Sequence, residues 1–238
     1  MTCIFCRNES DSRNIGHIVP ESLGGKNSPI GKTGVTCDAC NQYLGQKVEA
    51  KALQSFPFVG YKVIAGIPSK HGAMASVQAS IGTIRATGRF GIFELYPRSV
   101  ELGKRVGAGE VTQLRILAEV TEPLAVCRML LKIGLELLGK HFYEVAISDR
   151  VAAACDFARR PKRGNSWWFL LRSNPEDYLL KKDDPSDSAI EIRECEGVLV
   201  TVMHLSGMSA MIPLETGTLP PSKKELSEPE YRTIWAVC

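Results

Sequence analysis

Apolar and polar residues alternate differently in the two ends of this chain. Over residues 41–53, Leu44, Val48 and Ala52, with Tyr43 beside them, fall on one face at helical spacing, so a helix is expected there. Before it, His17-Ile18-Val19 reads as a short extended piece ended by Pro20, Gly24-Gly25 as a turn, residues 26–33 as a loop and Val35-Thr36 as a returning strand. From Phe56 the period shortens. Residues 58–67, 75–85 and 89–96 alternate apolar with small or polar positions between punctuating glycines and predict three strands, with residues 111–120 a fourth, in an antiparallel sheet. Thr121-Glu122-Pro123 then opens a helix to about Gly139, whose polar positions Arg128, Lys132, Glu136 and Lys140 recur every four residues as a narrow stripe on an otherwise apolar rod. That rod is expected to be the central core helix of the second unit. A second helix runs from Ser148-Asp149 to about Ala158, and Trp167-Trp168-Phe169-Leu170-Leu171 reads as a buried strand. Residues 173–188 read as an exposed loop, residues 190–193, 197–204 and 209–214 as closing strands, and the segment from Thr216 as a polar tail. The fold class is therefore α+β, with residues 1–54 as one unit and 55–238 as an α+β domain built on an antiparallel sheet and two main helices.

Cysteine spacing changes this picture most. Cys3-Ile4-Phe5-Cys6 and Cys37-Asp38-Ala39-Cys40 form two C-x-x-C knuckles, and two such knuckles supply the four thiolates of a tetrahedral Zn²⁺ site. A redox C-x-x-C belongs at a strand-to-helix junction, whereas the first knuckle here begins at residue 3. Disulfides need an oxidising compartment, and residues 1–20 show neither a basic n-region nor an apolar h-region, so a cytoplasmic, reducing setting is expected. A segment of about 50 residues cannot build a sufficient core alone, and bound metal supplies the missing stability. Cys127 and Cys155 read as buried small hydrophobes, and Cys195 and Cys238 have no partner at ligand spacing.

Composition narrows the function less. With 44% hydrophobic and 23% charged residues the chain reads as an ordinary globular protein. Its formal net charge of +3, lowered by two once four thiolates hold one Zn²⁺, does not mark a nucleic-acid binder, so such a role must rest on local patches. The apolar run 124–138 is too short and too charged to span a bilayer. The local patch is Arg159-Arg160-Pro161-Lys162-Arg163, a candidate phosphate-contacting loop, with Lys181-Lys182 a lesser one. Trp167 and Trp168 could stack on bases, but their place before Phe169-Leu170-Leu171 favours a core role. His71, His141 and His204 carry no assigned role.

Taken in order, C-x-x-C, then His17-Ile18-Val19-Pro20-Glu21-Ser22-Leu23-Gly24-Gly25, then C-x-x-C followed by Asn41 and by Leu44-Gly45, the first 50 residues closely resemble the zinc-knuckle branch of the HNH endonucleases. The resemblance implies a ββα-metal fold in which one divalent cation, Mg²⁺ or a transition metal, sits against the scissile phosphate. It matches His17 to the general base and Asn41 to the last motif position facing the metal. Asn27 is the candidate for the middle asparagine that orients the base. Imidazole chemistry suits the first role, because it can take a proton from water near neutral pH. Nucleic acid, with DNA the expected form, becomes the substrate, and residues 55–238 become the selector of substrate, protein partner or second copy. One position departs from the pattern: the residue before the histidine, an acidic metal ligand in the family, is Gly16. A hard cation then lacks a carboxylate oxygen. Either Glu21, Glu9 or Asp11 reaches in, or a bound phosphate completes the shell, or the unit is a weakened relative that binds nucleic acid or protein without cutting. For Asn41 the competing role is a helix N-cap.

Overall fold

The computed structural model describes residues 1–9, 12–24, 29–68, 72–111, 119–173, 188–205, 208–221 and 231–238. The first knuckle is a tight turn in which the amide of Arg7 donates to the carbonyl of Cys3 at 2.9 Å. His17 then bridges Ile30 in antiparallel fashion, the amide of Ile18 donates to Pro29 O at 2.8 Å, and that of Gly31 to Gly16 O at 2.9 Å. The returning strand is thus at residues 29–31 and not at Val35-Thr36. Those two residues lie in a turn at Gly34, whose φ of +88° is left-handed and suits glycine. Between the two bridge partners, helix α1 (Glu21–Gly24) begins directly after Pro20.

The second knuckle leads into α2 (Asp38–Leu44), which continues through a π-helical turn (Gly45–Glu49) into α3 (Ala50–Ala52). Leu44, Val48 and Ala52 are fully buried, as their spacing predicts. The next element corrects an expectation. Residues 58–67 were read as a strand, but α4 (Phe58–Ala65) is a helix that buries Phe58, Tyr61 and Ala65 and ends on left-handed Gly66, φ +67°. Short apolar runs satisfy both periods, and the glycine stop decides in favour of the helix.

Strands β1 (Ser76–Ala79), β2 (Gly82–Arg89) and β3 (Ile92–Pro97) form a three-stranded antiparallel sheet in that order. The single strand expected over 75–85 is folded into a hairpin between Ala79 and Gly82, which pair across it. Residues 112–118 of the fourth expected strand lie outside the described residues, as do Asn27, Asp11, His71 and Lys181-Lys182. Helix α5 (Val100–Gly107), which the pattern did not announce, starts where the Ser99 hydroxyl accepts from the Leu102 amide at 3.2 Å.

Helix α6 (Pro123–His141) carries proline in its first turn and buries 14 of its 19 residues. After α7 (Tyr143–Ala146) and a 3₁₀ turn (Asp149–Val151), α8 (Ala152–Arg159) buries Cys155 and Phe157. A five-stranded antiparallel sheet closes the chain: β4 (Ser166–Ser173), β5 (Ser188–Cys195), β6 (Val198–Leu205), β7 (Met208–Pro213) and β8 (Tyr231–Val237), in spatial order β5-β6-β7-β4-β8. Strand β8 corrects the polar-tail reading: Tyr231 to Val237 pair along β4 from Arg172 to Ser166. Trp167 and Trp168 are buried, with indole N–H groups donating to Pro213 O at 3.0 Å and Thr218 O at 2.9 Å, so they belong to the core and not to a stacking surface.

Helix α6 sits between the sheet and the N-terminal unit. On one side Gly134 has no Cβ because Thr201 of β6 occupies that space. On another, a Cβ on Gly139 would lie 2.6 Å from Val35 Cγ1. One apolar core accordingly includes Ile4, Phe5 and Ile18 together with Leu130, Leu131 and Leu135 of α6 and Phe169 of β4.

Candidate metal and nuclease site

The two knuckles bring Cys3, Cys6, Cys37 and Cys40 together with all four sulfurs within 4.8 Å of one another. Cys6 Sγ and Cys37 Sγ are 3.7 Å apart, close to the edge of a tetrahedron with Zn–S bonds of about 2.3 Å. Backbone amides point at the sulfurs: Cys37 N donates to Cys3 Sγ and Cys40 N to Cys37 Sγ, both at 3.4 Å. The crowding shows in proton affinities. A hydrogen bond from Cys40 holds the Cys3 thiol down at about 4, and the same contact pushes Cys40 far up, while burial raises Cys37. Four sulfurs arranged so that they share protons are what a dication converts into four thiolates. The cluster can hold a structural zinc.

Cys37 also serves as the N-cap of α2, its sulfur accepting the Cys40 amide. Asn41 therefore lies inside the helix, and the N-cap role considered for it is excluded. Its side chain turns to a cleft of about 290 Å³ lined by Asn14, Gly16, Gly31, Lys32, Val35, Thr36, Asn41 and Glu136. A Cβ added to Gly16 would stand 2.8 Å from Asn41 Oδ1, so the asparagine amide occupies the space a side chain at position 16 would need. Neither Glu21 nor Glu9 lines this cleft. His17 follows Gly16 directly but its ring is not among the lining groups; its Nδ1 is buried and has no hydrogen-bond partner among the described residues.

What sequence reading missed is the polar stripe of α6. It does not face water: it lies along the N-terminal unit. Arg128 Nη2 donates to Tyr43 Oη at 3.1 Å, and Lys140 Nζ to Ile30 O at 2.9 Å. Between them Lys132, 1% exposed, donates to His17 O at 2.9 Å and Ile18 O at 3.4 Å and pairs with Glu49 at 2.7 Å and Glu136 at 3.0 Å. Thr36 Oγ1 donates to the other oxygen of Glu136 at 3.0 Å. Burial works against the Lys132 charge, but Glu136 and Glu49 outweigh it and raise its pKa; burial also raises that of Glu136. The only signal in the sequence was the four-residue repeat, whose partners lie about 80 to 115 positions away.

Arg128 also fastens the basic loop, donating to Arg159 O, and the Arg160 guanidinium stacks 5.7 Å over the Tyr43 ring. Arg160, Lys162 and Arg163 are exposed, so the loop stands beside α2 with its cations in solvent. No helix among the described residues is long and apolar enough to cross a membrane.

No curated protein and no solved structure matches the chain. One family does: residues 3–57, which hold both knuckles, His17, Gly16 and Asn41, match the HNH endonuclease family.

Proposed function

We propose that this protein is a metal-dependent HNH-type endonuclease that hydrolyses phosphodiester bonds of nucleic acid, DNA before RNA, with His17 as general base. The observation that carries the reading is the family match over residues 3–57, which encloses the sulfur cluster and both motif side chains. In this mechanism the zinc is structural and holds the hairpin and α2 in register. The His17 imidazole takes the proton of the attacking water, and its backbone is held to α6 through the Lys132 ammonium on its carbonyl. Asn41 offers an amide oxygen to the cation from α2. A bound divalent cation, Mg²⁺ or a transition metal, supplies Lewis-acid neutralisation of the charge that develops on phosphate. Arg159, Arg160, Lys162 and Arg163 contact flanking phosphates, and residues 55–238 select the substrate, a protein partner or a second copy. Eight free cysteines fit a reducing, cytoplasmic setting.

Gly16 favours a second reading, in which the unit binds nucleic acid or protein without cutting it. Supercoiled plasmid and a structured RNA, incubated with the zinc-loaded protein under Mg²⁺, Mn²⁺ and Ni²⁺, separate the two. Cleavage by wild type that disappears in His17→Ala is expected. Absence of cleavage with every metal, with activity appearing only in Gly16→Glu, sinks the nuclease in favour of the binding module.

A further inference from the structure

We propose that Glu136, carried on α6 outside the matched segment, is the carboxylate ligand of the catalytic cation, in the place that Gly16 leaves without one. The inference rests on the nuclease reading and adds to it a residue about 120 positions from the motif.

Three observations meet in the cleft. First, a side chain at position 16 is not merely missing: the Asn41 amide fills its space, so a carboxylate must come from another element. Second, among the residues that line the cleft with Gly16 and Asn41, Glu136 is the one carboxylate, and it is buried. Third, its charge is not balanced locally. Glu136 and Glu49 share the single ammonium of Lys132, Thr36 adds a neutral donor, and the remaining cation of the lining, Lys32, is exposed at the mouth. Two carboxylates against one ammonium leave an excess negative charge on the cleft wall, and a cation there relieves it. Carboxylate and amide oxygens are hard donors, suited to Mg²⁺ or Mn²⁺ with waters completing the shell. Lys132 and Thr36 aim the carboxylate from behind, as outer-shell groups orient metal ligands elsewhere.

The test is Mn²⁺ binding to the full-length, zinc-loaded protein, followed by electron paramagnetic resonance of free Mn²⁺, beside cleavage. Glu136→Gln is expected to weaken Mn²⁺ binding about tenfold or more, the scale seen when a metal's supporting groups are lost. Glu49→Gln removes the other partner of Lys132 without touching the cleft, and is expected to stay within about twofold of wild type, since outer effects of that size are minor beside ligand loss. Equal losses in both variants make Glu136 a structural ion-pair member and overturn the proposal. So does Mn²⁺ affinity that is unchanged in Glu136→Gln but lost in Asn41→Ala, an outcome that leaves the nuclease reading standing. Failure of wild type to bind Mn²⁺ or cut overturns both. If Glu136→Gln does not fold, Glu136→Asp keeps the charge while withdrawing its oxygen by one methylene; affinity lower than wild type supports the ligand role and unchanged affinity overturns it.

Discussion

Replacing Lys132 with methionine probes the junction on which the whole site rests. The ammonium is 1% exposed and holds Glu49, Glu136 and two backbone carbonyls of the motif strand. Methionine keeps most of the side-chain volume, so the loss is electrostatic: two carboxylates remain in the core without a counter-charge. Removing one partner of a buried pair costs about 3–5 kcal/mol, and because Glu49 is partly exposed and can turn to water the lower end applies, about 3 kcal/mol. For a chain of this size that is a fall in melting temperature of roughly 6–12 °C. The pH dependence identifies the cause. Lys132 has its pKa raised in the folded state, so its contribution is complete below the unfolded value of 10.5 and disappears as pH rises through the higher folded one. In the variant, Glu136 loses its cation and burial raises its pKa further, so protonation at acid pH relieves the cost. Chemical denaturation at pH 5, 7, 9 and 11.5 should show a deficit that is largest at pH 7 and 9 and smaller at both extremes. Adding Glu49→Gln and Glu136→Gln to Lys132→Met should restore most of the lost stability, because uncharged groups no longer need the ammonium. A loss under about 1 kcal/mol at pH 7, or a pH-independent one, would refute the electrostatic reasoning.

Three further outcomes are expected. Elemental analysis should find one zinc per chain held by Cys3, Cys6, Cys37 and Cys40, and Cys37→Ser should lose it together with several kcal/mol of stability, read as a melting temperature lower by on the order of 10 °C. Trp167→Ala should cost about 3–5 kcal/mol in denaturant titration, because its buried ring packs 5.4 Å from that of Phe157, whereas Trp235→Ala at a half-exposed edge position should cost much less. The double variant Arg160→Ala/Arg163→Ala should weaken DNA binding for every sequence tried and lower the steepness of log affinity against log salt by about two units, measured by fluorescence anisotropy.

The site was half legible from the residues alone, for a definite reason. Knuckle spacing is local, so Cys3, Cys6, Cys37 and Cys40 could be grouped before any fold was known, and the helix through Leu44, Val48 and Ala52 followed from its own period. Arg128, Lys132, Glu136 and Lys140 were visible as a stripe, but a stripe records periodicity and not its partner. Tyr43, His17, Thr36 and Ile30, the groups it meets, are identified only by the docking of α6 on the N-terminal unit. Residues 58–67 failed differently: a run apolar on every side fits a strand or a buried helix, and Gly66 was the unused clue. Strand β8 was hidden because Tyr231-Arg232-Thr233-Ile234-Trp235-Ala236-Val237 follows a long polar stretch, and its pairing with β4 spans more than 60 residues.

The central claim, that the His17 unit cuts phosphodiester bonds, is tested most directly by single-turnover cleavage of a labelled DNA duplex with Mg²⁺ or Mn²⁺, comparing wild type and His17→Ala at matched zinc content and melting temperature. The account predicts measurable cutting by wild type and a rate about 10²–10⁴-fold lower in the variant, the usual worth of a general base. Equal rates in the two proteins, or no cutting by wild type with either metal, would contradict it.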